Sequence, residues 1–221
     1  MTEPRTLVLL RHGRTAWNHS GRAQGHADVP LDEVGLAQAR RVAPHMAALR
    51  PARLWSSDLV RAHQTAEQLA TATGLAVESD PRLREFSVGE RQGLTWEESV
   101  LRFPLIADGV GLGERLRGVP GAEGDDDVAT RLLPALEDCL AALAPGETGV
   151  VVGHGAALKL GVVGLLGWPL EQATSLAVLG NCRWATLTIA TTSVEGTPSG
   201  SQGWRLEAYG AGDFASGQAI G

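Results

Sequence analysis

A chain of 221 residues is long for one domain and short for two, and 43% hydrophobic content is enough for a buried core. Lys+Arg 19 against Asp+Glu 25 leave a formal charge of -6, which argues against a nucleic-acid partner but not against a small anion met by a few local cations. Two cysteines, Cys139 and Cys182, make no disulfide framework and read as free thiols.

The first element is the apolar run Leu7–Leu10, which ends on Arg11, His12 and Gly13. With Arg53–Ser56 and Val150–Val152 it is apolar enough for the interior of a largely parallel sheet. Asp32–Arg50 and Asp58–Gly74 read as amphipathic helices. Pro44 should kink or break the first, while serines with Asp58 should cap the start of the second and Gly74 its end. Phe103–Gly124 holds six glycines and two prolines without a clear period, and reads as an inserted cap loop over the site. Asp125–Gly146 is a third helix with acids at its positive end, and GHGAALKLGVVGLLGW supplies a fourth. CRWATLTIA and GWRLEAYG read as an antiparallel strand pair across the polar loop Thr191–Gln202, and 210–221 as a loose tail.

Strand–helix alternation predicts an α/β fold, a three-layer sandwich with helices on both faces of the sheet, and the chain 1–221 reads as one domain. The N-terminus lacks the layout of a secretory signal, and the longest apolar stretch, LKLGVVGLLGWPL, carries Lys159 and ends at Pro169. The expectation is a cytoplasmic protein with no membrane partner.

In parallel sheets, ligands bind beyond the carboxyl ends of the strands. LVLLRHG and VVVGHG each run from strand to His-Gly, so neighbouring strands would bring His12 and His154 into one crevice. In WSSDLVRAHQTAE, Arg61 falls in the first turn of a helix, where its planar fork suits phosphate oxygens. Glu85 ends the extended run of DPRLREFSVGERQG; Glu90, Glu97 and Glu98 lie near it in sequence as alternative acids. Arg11, His12, Arg61, His154 and Glu85 together read as a cationic phosphate cradle with one proton donor. The seven-residue spacing of His12, His19 and His26 invites a metal reading, but glycines and Pro30 break any continuous helix there and no cysteine pair supports it. Asp125–Asp127 reads as an acidic helix start. No metal and no cofactor are expected.

LVLLRHGRTAWN, SSDLVRAHQTAE, RLRE and VVGHG resemble, in order, the motifs of the histidine phosphatase superfamily, phosphoglycerate mutase-like branch. The resemblance spans residue 7 to about 155. It implies the phosphoglycerate mutase-like fold and a metal-independent phosphomonoester hydrolase. His12 would be the nucleophile that forms a phosphohistidine. Arg11, Arg61 and His154 would bind the phosphoryl oxygens, Asn18 and Gln24 would complete the pocket, and Glu85 would be acid and base. GNCRWATL and GWRLEAYG are also similar to the closing strands of actinobacterial glucosyl-3-phosphoglycerate phosphatases, which points to a phosphoglycerate or sugar-linked phosphoglycerate. The alternatives are a mutase, a broad-specificity phosphatase, and a phospho-ligand sensor that has lost its chemistry; a proton donor such as Glu85 would be idle in the last. Arg102, Arg115 and Arg117 in or beside the insertion, with Arg14 and Arg22, are the expected contacts for a second negative group. The partner is a small phosphomonoester, and a homodimer stays open.

Overall fold

A strand without a polar break has to be covered on both faces. In the computed structural model, which describes residues 3–109, 111–189 and 203–212, β1 (Arg5–Arg11) meets that condition: Leu7, Val8, Leu9 and Leu10 are fully buried. The chain continues through α1 (Ala16–His19), α2 (Glu33–Ala48), β2 (Arg53–Ser56), α3 (Val60–Thr73), β3 (Val77–Ser79), α4 (Trp96–Arg102) and α5 (Leu112–Leu116). It closes with α6 (Asp125–Ala141), β4 (Thr148–Gly153), α7 (Gly155–Leu165), β5 (Trp184–Ile189) and β6 (Trp204–Ala211).

The sheet order is β3-β2-β4-β1-β5-β6. Strands β3, β2, β4 and β1 are parallel, and the predicted antiparallel pair β5 and β6 extends them on the far side of β1, so the sheet is mixed. Alternate residues of β1 feed two cores. Val8 and Leu10 pack with Ala39, Val42 and Met46 of α2 and Ala66 and Leu69 of α3. Leu7 and Leu9 pack with Leu132 and Leu136 of α6 and Leu158 and Val162 of α7. The buried positions of α2 (Gly35, Ala39, Val42, Ala43 and Met46) follow the one-face spacing of an amphipathic helix.

Several expectations are corrected. Pro44 does not break α2, because it and Arg40 lie on the solvent face, where the carbonyl freed by the missing N–H can turn to water. Asp58 does not cap α3. Its carboxylate is taken by Arg84 at 2.8 and 2.6 Å, the N-cap is Leu59, and Asp28 Oδ1 accepts the Val60 N–H instead. Gly74 ends α3 in the left-handed conformation, as predicted. The segment 103–124 is more structured than a loop: a 3-10 turn at Pro104–Ala107 and α5 bury Ile106 and Leu116 in the core beside Val119, and Val88 bridges to Ala122. Gly210 and Ala211 belong to β6, while 213–221 and the loop Thr191–Gln202 lie outside the described residues. No helix among the described residues is long and apolar enough to cross a membrane.

The turn after β1 is fixed against the start of α2 by backbone contact. A Cβ on Gly13 would sit 2.5 Å from the Gly35 carbonyl oxygen, and one on Gly35 would collide with the Arg14 carbonyl. Gly35→Ala should therefore destabilise the protein by about 1–3 kcal/mol, the usual range for overpacking. It should also lower turnover, because relief comes by moving the turn that carries His12. Urea unfolding with kcat measurement checks this; a variant of wild-type stability would show that the backbone yields freely.

Candidate functional site

The parallel pairing of β1 and β4 sets Arg11 opposite Gly153, so the next residue of each strand, His12 and His154, falls side by side. The His12 N–H donates to the Gly153 carbonyl at 3.0 Å, and the two imidazole centroids are 5.2 Å apart. β2 flanks β4 on the other side and ends at Ser56; Ser57 N–H donates to the Val152 carbonyl, and α3 then raises Arg61. Arg11, His12, Arg61 and His154 thus converge at the carboxyl ends of three adjacent parallel strands.

Each side chain is held by backbone. His12 Nδ1 lies 2.6 Å from the Gly13 carbonyl oxygen, which can only accept, so the proton sits on Nδ1 and Nε2 keeps its lone pair. Arg61 is 1% exposed; its two terminal nitrogens donate to the Ala27 and Gly25 carbonyls at 2.7 and 2.8 Å. Arg11 donates to the Leu179 carbonyl. His154 Nε2 is 2.9 Å from Ser57 Oγ. Leu59 N–H donates to that oxygen, which leaves the hydroxyl able to donate to Nε2; in that tautomer the ring carries its own proton on Nδ1.

Three donors at this place have no partner among the described residues. Arg11 Nε, Arg61 Nε and His154 Nδ1 are buried without a hydrogen bond. Leaving a buried polar group unmatched costs roughly 1–3 kcal/mol each. The three belong to residues that converge with His12 at the strand ends, a set of donors that could bind an anion. Electrostatics agree. Burial lowers the Arg11 pKa, and it brings Arg61 down to about 10 even though Glu85 favours the charged form. His12 lies well below its ordinary value because of burial, then Arg61 and Arg11, while its bond to the Gly13 carbonyl acts the other way. His154 is lowered in the same direction by burial, Arg61 and His12. Two cations therefore surround two neutral imidazoles.

Glu85 serves the start of α7. His154, the N-cap, makes no side-chain cap bond; instead Glu85 Oε1 accepts from Ala157 N–H at 2.8 Å and Oε2 from Ala156 N–H at 3.1 Å. Phe86 N–H also donates to Oε1, so Oε2 is the less occupied oxygen. The Glu85 carbonyl accepts from Arg131 of α6 and from His26, and Arg131 also ties the Arg82 and Arg84 carbonyls to Glu123. Glu90 pairs with Arg102, and Glu98 with Arg22 while capping α4, so those two acids are spent elsewhere.

Asn18 and Gln24 meet at Thr15, whose hydroxyl lies 3.2 Å from Asn18 Oδ1 and 2.9 Å from Gln24 Oε1. With the oxygen end of each amide occupied, the nitrogen is left as the donor for an anion. Sequence reasoning missed Asn181, whose amide donates to the His12 carbonyl and to Asn18 Oδ1; Thr65, which accepts the Gly13 N–H; and Ser57, His26 and Arg131. Ser57 and Thr65 stand inside a motif already singled out, but Arg131 has no local signal, because its three carbonyl partners come from a different stretch of chain. The arginines expected to meet a second negative group are largely engaged: Arg14 with Asp32, Arg22 with Glu98 and Arg102 with Glu90. Arg115 donates to Gly109 and lies over the Trp96 ring. His19 closes α1 and His26 binds Glu85, so the three evenly spaced histidines gather no ligand set, and no group of three or more metal-type ligands occurs among the described residues.

A family model described as histidine phosphatase superfamily (branch 1) matches residues 7–195. A probable phosphoglycerate mutase of Yersinia pestis is 35% identical over 209 residues, covering 92% of each chain. The solved structure of mycobacterial glucosyl-3-phosphoglycerate phosphatase complexed with VO3 is 33% identical, with a TM-score of 0.78 over 94% of this chain and 100% of that one. Bacillus stearothermophilus YhfR is 27% identical, with a TM-score of 0.83 over 95% and 98%.

The depressed histidines set a stability limit with a definite sign. Below the unfolded value of about 6.5, the unfolded chain takes up protons that the folded chain refuses, so stability is full above that pH and lost as pH falls. Each such histidine should contribute a loss approaching about 1.4 kcal/mol per pH unit. Asp58, Asp80 and Glu123 are lowered too, so their losses come further down, through the lower folded values, and leave the window between roughly pH 5 and 6.5 to the histidines. In urea titrations across that window, His154→Asn should show a slope shallower by about half, one titrating site of two being gone. An unchanged slope would mean that His154 is not held neutral.

Proposed function

The chain belongs to the histidine phosphatase superfamily (branch 1), and from that premise we propose that it hydrolyses a small phosphomonoester through a phosphohistidine on His12. The single observation that carries this reading is the set of three unmatched buried donors on Arg11, Arg61 and His154, the residues that converge with His12 at the strand ends. In the first step, Nε2 attacks phosphorus, the P–O ester bond breaks, and Glu85 gives its proton to the departing alkoxide. In the second, water attacks phosphorus and the P–N bond breaks while Glu85 takes back a proton, releasing inorganic phosphate and the original imidazole. Charge spreads over the three non-bridging oxygens of a loose transition state, and Arg11, Arg61 and the His154 Nδ1–H supply donors there. The Asn18 and Gln24 amides complete the ring. Two guanidinium groups provide the positive charge for which other phosphoryl-transfer sites use a metal. Hydrogen bonding to Gly13 keeps Nε2 unprotonated, and the low His12 pKa keeps it so below neutral pH.

For the group that carries the phosphate, the relatives support a phosphoglycerate or a sugar-linked phosphoglycerate, since one bears the name phosphoglycerate mutase and another glucosyl-3-phosphoglycerate phosphatase. A cytoplasmic enzyme that engages neither nucleic acid nor membrane is part of the same reading. The mutase name also sets the rival reaction, in which the phosphoryl group passes from His12 to a second phosphoglycerate instead of water.

His12→Ala should lower kcat by on the order of 10^4-fold or more, and wild-type protein quenched during turnover should carry acid-labile, base-stable phosphate. Activity within tenfold of wild type would remove His12 as nucleophile. Glu85→Gln should cost roughly 10^2–10^4-fold on an alkyl phosphate and far less on p-nitrophenyl phosphate, whose leaving group needs little protonation. Equal losses on both would take the acid role from Glu85. A panel of glucosyl-3-phosphoglycerate, both phosphoglycerates and simple sugar phosphates tests the substrate, with kcat/KM expected highest on the first. Efficient interconversion of the two phosphoglycerates, with little inorganic phosphate released, would establish the mutase instead.

A further inference from the structure

Beside the phosphate site, a cleft of about 290 Å3, its open mouth included, lies between the start of α7 and the segment that holds α5. It begins where Glu85 ends. Ala156, which lines it, donates its N–H to Glu85 Oε2, and Phe86, also in its wall, is the residue after Glu85. A leaving group that takes its proton from Glu85 therefore rests against this cleft.

Lys159 of α7 lines the cleft and is only 9% exposed, yet among the described residues it has no hydrogen bond and no ion pair. The charges that face it are Asp125, Glu85 and Arg115. Neither carboxylate is its bonded partner: Asp125 accepts from the Gly113 backbone, and Glu85 is bound to the amides of α7. Burial, opposed by the two carboxylates, holds the Lys159 pKa below its ordinary value, and burial moves Asp125 upward. A half-sequestered ammonium with three unmatched protons is costly, and an entering anion would relieve it.

We propose that Lys159 is the specificity residue of this site, its ammonium receiving the carboxylate of the leaving group while His12 and the arginines hold the phosphate. This rests on the phosphoglycerate reading above. It also explains how the site recognises a second anion although Arg14, Arg22 and Arg102 are paired with carboxylates.

The test compares 3-phosphoglycerate with glycerol 3-phosphate, which has a hydroxymethyl group in place of the carboxylate, in wild type, Lys159→Met and Lys159→Arg. Wild type should prefer 3-phosphoglycerate. Lys159→Met should lose about tenfold or more in kcat/KM on that substrate, mainly through KM, as expected for one charge-assisted hydrogen bond. On glycerol 3-phosphate it should change far less, and Lys159→Arg should restore much of the preference. Lys159→Gln is run beside the methionine variant, so that a folding defect in one does not stand in for a result. Equal losses on both substrates in both neutral variants, or a preference that survives Lys159→Met, would overturn the subsite while leaving the phosphatase reading intact. A wild-type enzyme that does not distinguish the two substrates would overturn the phosphoglycerate reading and the subsite together.

Discussion

Arg61 is buried and Arg11 half-buried at the carboxyl end of the sheet, neither with a salt bridge among the described residues, and most of the local structure follows from keeping them there. Taking a guanidinium out of water is costly unless its protons are matched. The chain matches part of each fork with backbone carbonyls, from Gly25 and Ala27 for Arg61 and from Leu179 for Arg11, and leaves the Nε of each unmatched. Those carbonyls tie the loop after α1 and the approach to β5 to the same point. Burial first, and then the two charges, hold the pKa of both imidazoles down, so the nucleophile proposed at His12 keeps a free lone pair.

The site is rigid because its parts hold one another. Glu85 caps the helix that His154 begins, and Arg131 and His26 hold the backbone of Glu85. The proton donor proposed here has to be held in a fixed orientation toward the leaving group. Amide donors at a helix start supply this, while Oε2 stays the freer oxygen. The same arrangement sets the Glu85 carboxylate beside the cleft of Lys159, so the proposed proton donor and the proposed carboxylate contact both sit near the start of α7.

The segment 103–124 shows how composition can mislead. Glycines and prolines without period predict a loop, and the arginines within it looked like the recognition surface. Its apolar residues Ile106, Leu116 and Val119 instead anchor it in the core, and Arg102 and Arg115 are engaged at or near the surface. Surface arginines gain little from such pairs in water. A cation by the site with neither hydrogen bond nor ion pair among the described residues is Lys159, on a nearly all-apolar helix, where the sequence shows only one polar letter in a hydrophobic run.

By itself the sequence determined which residues gather at the strand ends. Arg11, His12, Arg61 and His154 were legible because each sits within a few residues of a strand end, where local pattern decides geometry, and Leu7–Leu10 could only be a strand covered on both faces. Glycine at 74 announced the end of α3 for the same local reason. Tertiary structure alone decided that β4 lies between β1 and β2, which places two histidines 142 positions apart side by side. It alone assigned Asp58 to Arg84 instead of a helix cap, Arg131 to the carbonyls before Glu85, Asn181 to the backbone of His12, and Lys159 to the cleft. The physical reason is common to the first three. A polar side chain takes whichever partner the packed backbone brings within reach, and that is set by which strands are neighbours, not by which residues are adjacent in the chain.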